Sequence, residues 1–295
     1  MKQSLTPRQL AQAIGVSESS MKRWVDEGRV RAARTAGGHR RIPLSEALRF
    51  IRESSMELVA PESLGLPELR TISVNEIDRM ATAAQQMTEI LGAGDDKRAH
   101  ALVMGLYLGG ESIASIIDGP IRVAMEDIGE RWQHSADGLL VEHRATDIVN
   151  QVLNQIRVTF PAPQGALRAV GGTLEGDPYL LATLAAACAL TTEGIDAIHL
   201  GPETPASSLI LAARQHDADL VWVSVNVPTA TGTVEDQLIE LHRAVETEGR
   251  RLMVGGKGVS GDRMPATLRR VPRGSSIGEL VGFAKGLQAA RAEEA

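Results

Sequence analysis

From residue 73 to residue 160, apolar positions return every three to four residues. Ile77, Met80, Ala81, Ala84, Met87 and Leu91 make one such run, closed by Gly92 and Gly94. That period predicts a helix with one buried face. A second helix is expected over Asp95 to Leu108, ended by Gly109 and Gly110. A third runs from Glu111 to about His134, with a kink at Gly119-Pro120. The fourth runs from Gly138 to about Val158 and stops before Pro161. Short connections between four such helices predict an antiparallel four-helix bundle.

Beyond residue 165 the pattern changes. Apolar, β-branched runs at 167–173, 195–201, 218–227 and 250–258 read as strands. Helical stretches separate them, from about Asp177 to Thr192, from Pro205 to about His216, and from Thr233 to about Glu248. A weak fifth unit and a helix from Ile277 to about Ala290 close the chain. Strands alternating with helices predict a Rossmann-like, flavodoxin-like doubly wound parallel sheet over residues 165–292.

The first 55 residues carry another pattern. Thr6 suits a helix cap with Pro7 at the first position, and Leu10, Ala13 and Ile14 supply an apolar face. Gly15 permits a tight turn, Val16 plugs the angle, and Ser17 caps a second helix that stops at Gly28. Helix, glycine turn, helix is the helix-turn-helix pattern. Its second helix would present Ser19, Ser20, Lys22 and Arg23 to a major groove, with Trp24 and Val25 toward the core. Two short extended pieces around Gly37-Gly38 then predict a hairpin carrying Arg34, His39, Arg40 and Arg41, a basic wing suited to phosphates. Residues 56–72, with Pro61, Gly65 and Pro67, lack periodicity and read as a linker to the bundle at 73–160.

Charge supports this division. Residues 1–50 hold ten Lys/Arg against four acids, +6, whereas the rest holds 21 basic and 33 acidic residues, −12. A basic head on an acidic body is the footprint of a polyanion-binding module, with double-stranded promoter DNA as the expected partner. Aromatics make up only 3% of the chain against 43% hydrophobic residues, so the core must be Ala, Leu, Val and Ile. No apolar run reaches the roughly 18 residues that span a bilayer. A single cysteine, Cys188, fits a reducing cytosol, and a cytoplasmic protein with no membrane partner is expected.

In a doubly wound sheet, ligands sit at the carboxyl ends of the strands. Here those ends are Gly172-Thr173-Leu174-Glu175-Gly176-Asp177, Ser224-Val225-Asn226 and Gly255-Gly256. The turn GGTLEGD departs from G-x-G-x-x-G, which argues against a dinucleotide. A P-loop, a Cys/His metal cluster and a nucleophile-base-acid order are all missing, so no enzyme is expected. A further cluster, RWQHSADGLLVEH, sets nine residues between Trp132 and Glu142-His143. Adjacent helix residues diverge by about 100°, so one of that pair faces a ligand and the other a helix or partner. A tryptophan in the bundle core beside a surface Glu-His pair is the alternative.

The segments GVSESSMKRWVDEGRV and RTAGGHRRI resemble the winged helix-turn-helix of the MerR family. A helical bundle followed by an α/β domain resembles the cobalamin-binding module of methionine synthase and its relatives. Together, over residues 4–290, the chain resembles the CarH/LitR group of light-responsive repressors. That resemblance implies adenosylcobalamin as chromophore, self-association as dimer or tetramer on promoter DNA, and release by light. It implies that Trp132, Glu142 and His143 cap the upper face of the cofactor. It also implies that Ser224, Gly255 and Gly256 line its nucleotide tail; Glu175, Asp177 and Asn226, at the same strand ends, complete the expected ligand-binding set. The family pattern of acid, any residue, His, two residues, Gly falls on Asp177, Pro178, Tyr179, Leu180, Leu181 and Ala182. Tyr179 thus stands where the resemblance places the lower cobalt ligand, and a phenol is a poor neutral ligand. Gln133, followed by His134, stands where the photoreceptors carry a second histidine. Three readings stay open: a corrinoid, with Tyr179 at most a weak cobalt contact; another tetrapyrrole such as a bilin; or a ligand-free oligomeric DNA binder. A corrinoid carrier for an enzyme fits less well, because a carrier needs no winged helix.

Overall fold

Thr6 and Pro7 open the first helix in the computed structural model, which describes residues 4–71, 79–132, 137–227, 233–259 and 268–294. These form two units, Met1–Val152 and Leu153–Ala295. The first begins with β1 (Ser4–Leu5), α1 (Pro7–Ala13) and α2 (Glu18–Asp26). Thr6 accepts the Gln9 amide at 3.2 Å while Gln9 Oε1 accepts the Thr6 amide at 2.9 Å, a reciprocal cap. Ser17 caps α2 by accepting the Ser20 amide at 3.1 Å. The hairpin of β2 (Ala33–Arg34) and β3 (Arg40–Pro43) follows, and β3 also pairs with β1, giving an antiparallel sheet β1-β3-β2. Its turn uses Gly38 at φ +77°, a conformation glycine adopts without steric cost. A helix α3 (Leu44–Ser54), which the sequence reading left unassigned, closes the head over Leu5, Leu10, Met21, Val30, Ile42, Leu48 and Ile51.

The linker expectation for 56–72 needs correction, because residues 56–71 are folded. Val59 and Ala60 both donate their amides to the Ala13 carbonyl, at 2.8 and 3.0 Å. Pro61–Ser63 and Pro67–Thr71 form single 3-10 turns, and Leu64 and Leu66 are buried. The prolines start turns here rather than interrupt structure. Two buried leucines are too few to leave a period in the sequence.

The four expected helical stretches are present. They are α4 (Arg79–Ala93), α5 (Asp96–Leu108), a broken third of α6 (Ile113–Ile116) and α7 (Arg122–Trp132), and α8 (Gly138–Thr159). Ile77 and His134 lie outside the described residues. The predicted kink is a π turn over Ile117–Ile121 with Pro120 inside it. Proline lacks the N–H that an α-helix needs there, and the wider turn accommodates its ring. From Ala99 to Tyr107 every residue of α5 is buried, because this helix packs against α3, α4, α6 and the Pro67–Thr71 turn.

The second unit runs β4 (Arg168–Leu174), α9 (Leu180–Thr192), β5 (Asp196–Thr204), α10 (Ala206–Gln215), β6 (Leu220–Ser224), α11 (Thr233–Thr247), β7 (Arg251–Gly255), β8 (Arg273–Gly274) and α12 (Ile277–Glu294). All neighbouring strands are parallel, in the order β5-β4-β6-β7-β8. This is the doubly wound, flavodoxin-like order. The chain steps from β4 to one side and then returns to the other. The crevice therefore lies beyond the carboxyl ends of β4 and β6. The core on one face joins Val170, Val221, Val223 and Val254 to Leu209 of α10 and Leu238 and Leu241 of α11. On α9 every residue from Thr183 to Leu190 is buried, since it meets β4, β5 and α12.

Candidate functional site

The head presents a cationic face. Ser19, Lys22 and Arg23 are exposed on α2, and Arg34, His39 and Arg41 are exposed on the hairpin. Lys22 Nζ lies 2.8 Å from Glu18 and Arg23 Nε 3.7 Å from Glu27, both one helical turn away along α2. Ser20 is half-buried, its hydroxyl 2.9 Å from that of Ser17. Trp24 is turned inward as expected, with its ring 5.5 Å from Phe50 and the Arg29 guanidinium 5.1 Å above it. Arg40 is placed differently from the other wing cations. Its Nη2 donates to Asp26 Oδ1 at 2.5 Å.

Glu46 went unrecognised in the sequence. It is 7% exposed and accepts the Arg31 amide at 2.7 Å and Arg49 Nε at 2.9 Å. Burial opposes its charge, but the hydrogen bonds from Arg49 and the Arg31 amide outweigh that, leaving its carboxyl below the ordinary range. It thereby anchors the chain leading into the wing. An acid flanked by Leu44, Ala47 and Leu48 was the available signal.

At the crevice the central residue is Asp177, 1% exposed. Its Oδ2 accepts the Asn226 amide at 2.6 Å and Asn226 Nδ2 at 3.3 Å, and its Oδ1 accepts the Tyr179 amide at 3.2 Å. The ends of β4 and β6 are thus stapled through one carboxylate. Asp177 does not cap α9; Tyr179 holds that position and makes no side-chain cap bond. The helix consequently starts three residues later than expected, beyond Pro178. Around the staple, Thr173 Oγ1 donates to the Asp177 carbonyl and accepts the Glu203 amide at 3.1 Å, and Glu203 Oε2 accepts the Gly176 amide at 2.9 Å. Glu203 sits at φ +54°, which no sequence pattern signals.

Tyr179 is 58% exposed at the rim, beside exposed Glu175 and Gly176. Ser224 is buried at the end of β6, in register with Gly255 of β7. Gly256 is exposed at φ +103°, and a Cβ there would lie 2.2 Å from the Val225 carbonyl oxygen, so only glycine fits. Deeper, Trp222 of β6 covers Gly171 of β4 and donates Nε1–H to Thr183 of α9 at 3.2 Å.

In the first unit, Trp132 is the last residue of α7, and Gln133 lies outside the described residues. Glu142 and His143 are both exposed near the start of α8, beside Leu139 and Leu140, exposed by 65% and 69%. Burial pushes the Cys188 thiol up to about 12, which makes it inert. Burial, aided by the Arg157 charge, lowers His199 to about 4.

Two families match parts of the chain. Residues 4–55 match a helix-turn-helix domain, and residues 83–157 match a B12 binding domain. No curated protein matches it. Among solved structures it is similar to a monomethylamine corrinoid protein of Methanosarcina barkeri. The two share 15% identity over 70% of this chain and 99% of that one, with a TM-score of 0.54. It is also similar to a cobalamin-binding protein from Desulfitobacterium hafniense (15% identity, 69% and 97% covered, TM-score 0.36). A third is the methanol:cobalamin methyltransferase complex of Methanosarcina barkeri (13%, 80% and 88%, TM-score 0.35). The first likeness establishes a shared fold. The chain therefore carries a segment that matches a helix-turn-helix domain and one that matches a B12 binding domain, and it shares a fold with the first of these structures.

Proposed function

We propose that this protein is a transcription regulator, acting as a repressor, that takes up a corrinoid and reports it by changing its grip on promoter DNA. One observation carries this reading: a helix-turn-helix domain at 4–55 and a B12 binding domain at 83–157 lie in a single chain. The exposed cations of α2 and the wing support contact with a polyanion. A catalytic role has no such support, and the chain acts by binding rather than as an enzyme.

The residues at the crevice suit a corrinoid. Its cobalt arrives already held by four ring nitrogens, so it needs a surface more than a metal cage. Among the described residues no group of three or more His, Cys, Asp and Glu is placed to hold a metal. Glycine at 176 and 256 lets backbone approach a flat ring closely, Tyr179 offers an exposed aromatic face and hydroxyl, and Asp177 holds the rim rigid. When bound, adenosylcobalamin supplies a cobalt–carbon bond that visible light cleaves. Light enters the proposal through that bond, and oligomeric state through the differential affinity of the ligand for two assemblies.

The test is direct. The full chain is mixed with adenosylcobalamin in the dark, desalted, and its absorption spectrum recorded before and after green light. Retained colour is expected, with a spectral change on illumination and a matching change in the mobility of bound promoter DNA. Colourless protein that still shifts DNA would remove the corrinoid from the reading. A pigment surviving purification with a bilin spectrum would replace it.

A further inference from the structure

We infer that Asp26 is a positioning residue for DNA binding, one that sets the wing against the recognition helix by holding Arg40. The inference rests on the reading of the head as a DNA-binding domain. Cross-strand pairing in the hairpin puts Arg34 directly opposite Arg40. Like charges facing each other across an antiparallel pair weaken it. Asp26, the last residue of α2, relieves that repulsion by taking the Arg40 guanidinium at 2.5 Å.

Three further observations separate Arg40 from its neighbours. Its side chain is 28% exposed, while Arg34, His39 and Arg41 lie open. Its Nε is buried with no hydrogen-bond partner among the described residues, as in an arm turned inward rather than toward a phosphate. Its ion pair joins two elements, the recognition helix and the hairpin, whereas those of Lys22 and Arg23 stay within α2 and its C-terminal cap residue. Glu46 fixes the base of the wing through the Arg31 amide. Asp26 fixes the hairpin nearer its tip. With both ends held, the remaining wing cations keep one orientation relative to Lys22 and Arg23.

The opposite assignment makes the opposite prediction. If Arg40 were a phosphate ligand restrained by Asp26, freeing it would tighten binding. Removing any acid near DNA also tightens binding through general electrostatics, so a matched control is needed. Glu27, next in sequence, shows the size of that effect, but its loss also frees Arg23, so the unmodified chain is the reference for affinity.

The full-length Asp26→Asn and Glu27→Gln chains are titrated with mixed-sequence duplex DNA at low salt. Amide hydrogen exchange of residues 33–41 is followed in the free proteins. Asp26→Asn is expected to bind up to about five-fold more weakly than the unmodified chain, the upper end for an exposed pair, although the loss of an acid alone would tighten binding. Its hairpin amides should exchange faster, while those of α1 and α3 stay protected. Binding as tight as that of the unmodified chain, or tighter, overturns the proposal, as does unchanged exchange in the hairpin. Should the unmodified chain bind no duplex at all, the reading of the head fails on its own. The exchange measurement still decides whether Asp26 holds the wing.

Discussion

A single carboxylate organises the mouth of the α/β domain. Asp177 is buried and accepts from the amides of Asn226 and Tyr179, so its loss leaves these part-buried donors without that partner. Each buried donor left without a partner costs about 1–3 kcal/mol. Asp177→Ala should therefore lower the stability of the second unit by at least that much, read from urea unfolding of the full chain. Tyr179→Ala should not, because the ring is 58% exposed and such sites fall within about 0.5 kcal/mol of neutral. Any loss of cobalamin retention in Tyr179→Ala then reports ligand contact rather than folding. Asp177 was visible in the sequence as a polar residue at a strand end. Its task was not, because Asn226 lies 49 residues away and only the sheet brings them together. Glu203 left no trace at all, since its role depends on a left-handed backbone that favours glycine.

Helices and strands were legible where glycines bound them and where one face is apolar. The helices α4, α5, α7 and α8 and the strands β4 to β7 stand within a few residues of their expected positions. The misses share a cause. The 56–71 segment and Glu46 are fixed by contacts with distant parts of the head, and local spacing does not record those. The same dependence explains Gly171. A Cβ there would fall 2.1 Å from the Trp222 ring, so Gly171→Ala must push β4 and β6 apart or displace the indole. Overpacking of this kind costs about 1–3 kcal/mol, and a lower urea midpoint with an unchanged slope is the expected reading. On β5, His199 gives the second unit a pH dependence. Burial, with Arg157 nearby, lowers its pKa from 6.5 to about 4. Between those values the unfolded chain binds a proton that the folded chain refuses, so stability falls as pH falls through this window. Thermal unfolding from neutral pH down to about 4 should show the decline, and His199→Gln should flatten it.

At the scale of the whole chain, charge is divided rather than balanced. The first 50 residues carry +6 and the remainder −12. At physiological salt the Debye length is about 8 Å, so only charges within about that distance of the DNA act on it. Binding then depends on local cations, and the net charge of −6 says little about it. With Arg40 committed to Asp26, the cations left to meet phosphates are Lys22, Arg23, Arg34 and Arg41. Each phosphate neutralised contributes about −0.9 to the slope of log affinity against log salt, so one head should give a slope of about −4. Two heads bound together should give about twice that, because counterion release adds over contacts. Fluorescence anisotropy on mixed-sequence duplex DNA across a salt series measures the slope. A value near −2 would mean that either the recognition helix or the wing stays off the backbone, and Arg23→Ala and Arg41→Ala then tell which. The element in contact loses about one unit of slope when its arginine is removed, and the element held away loses none.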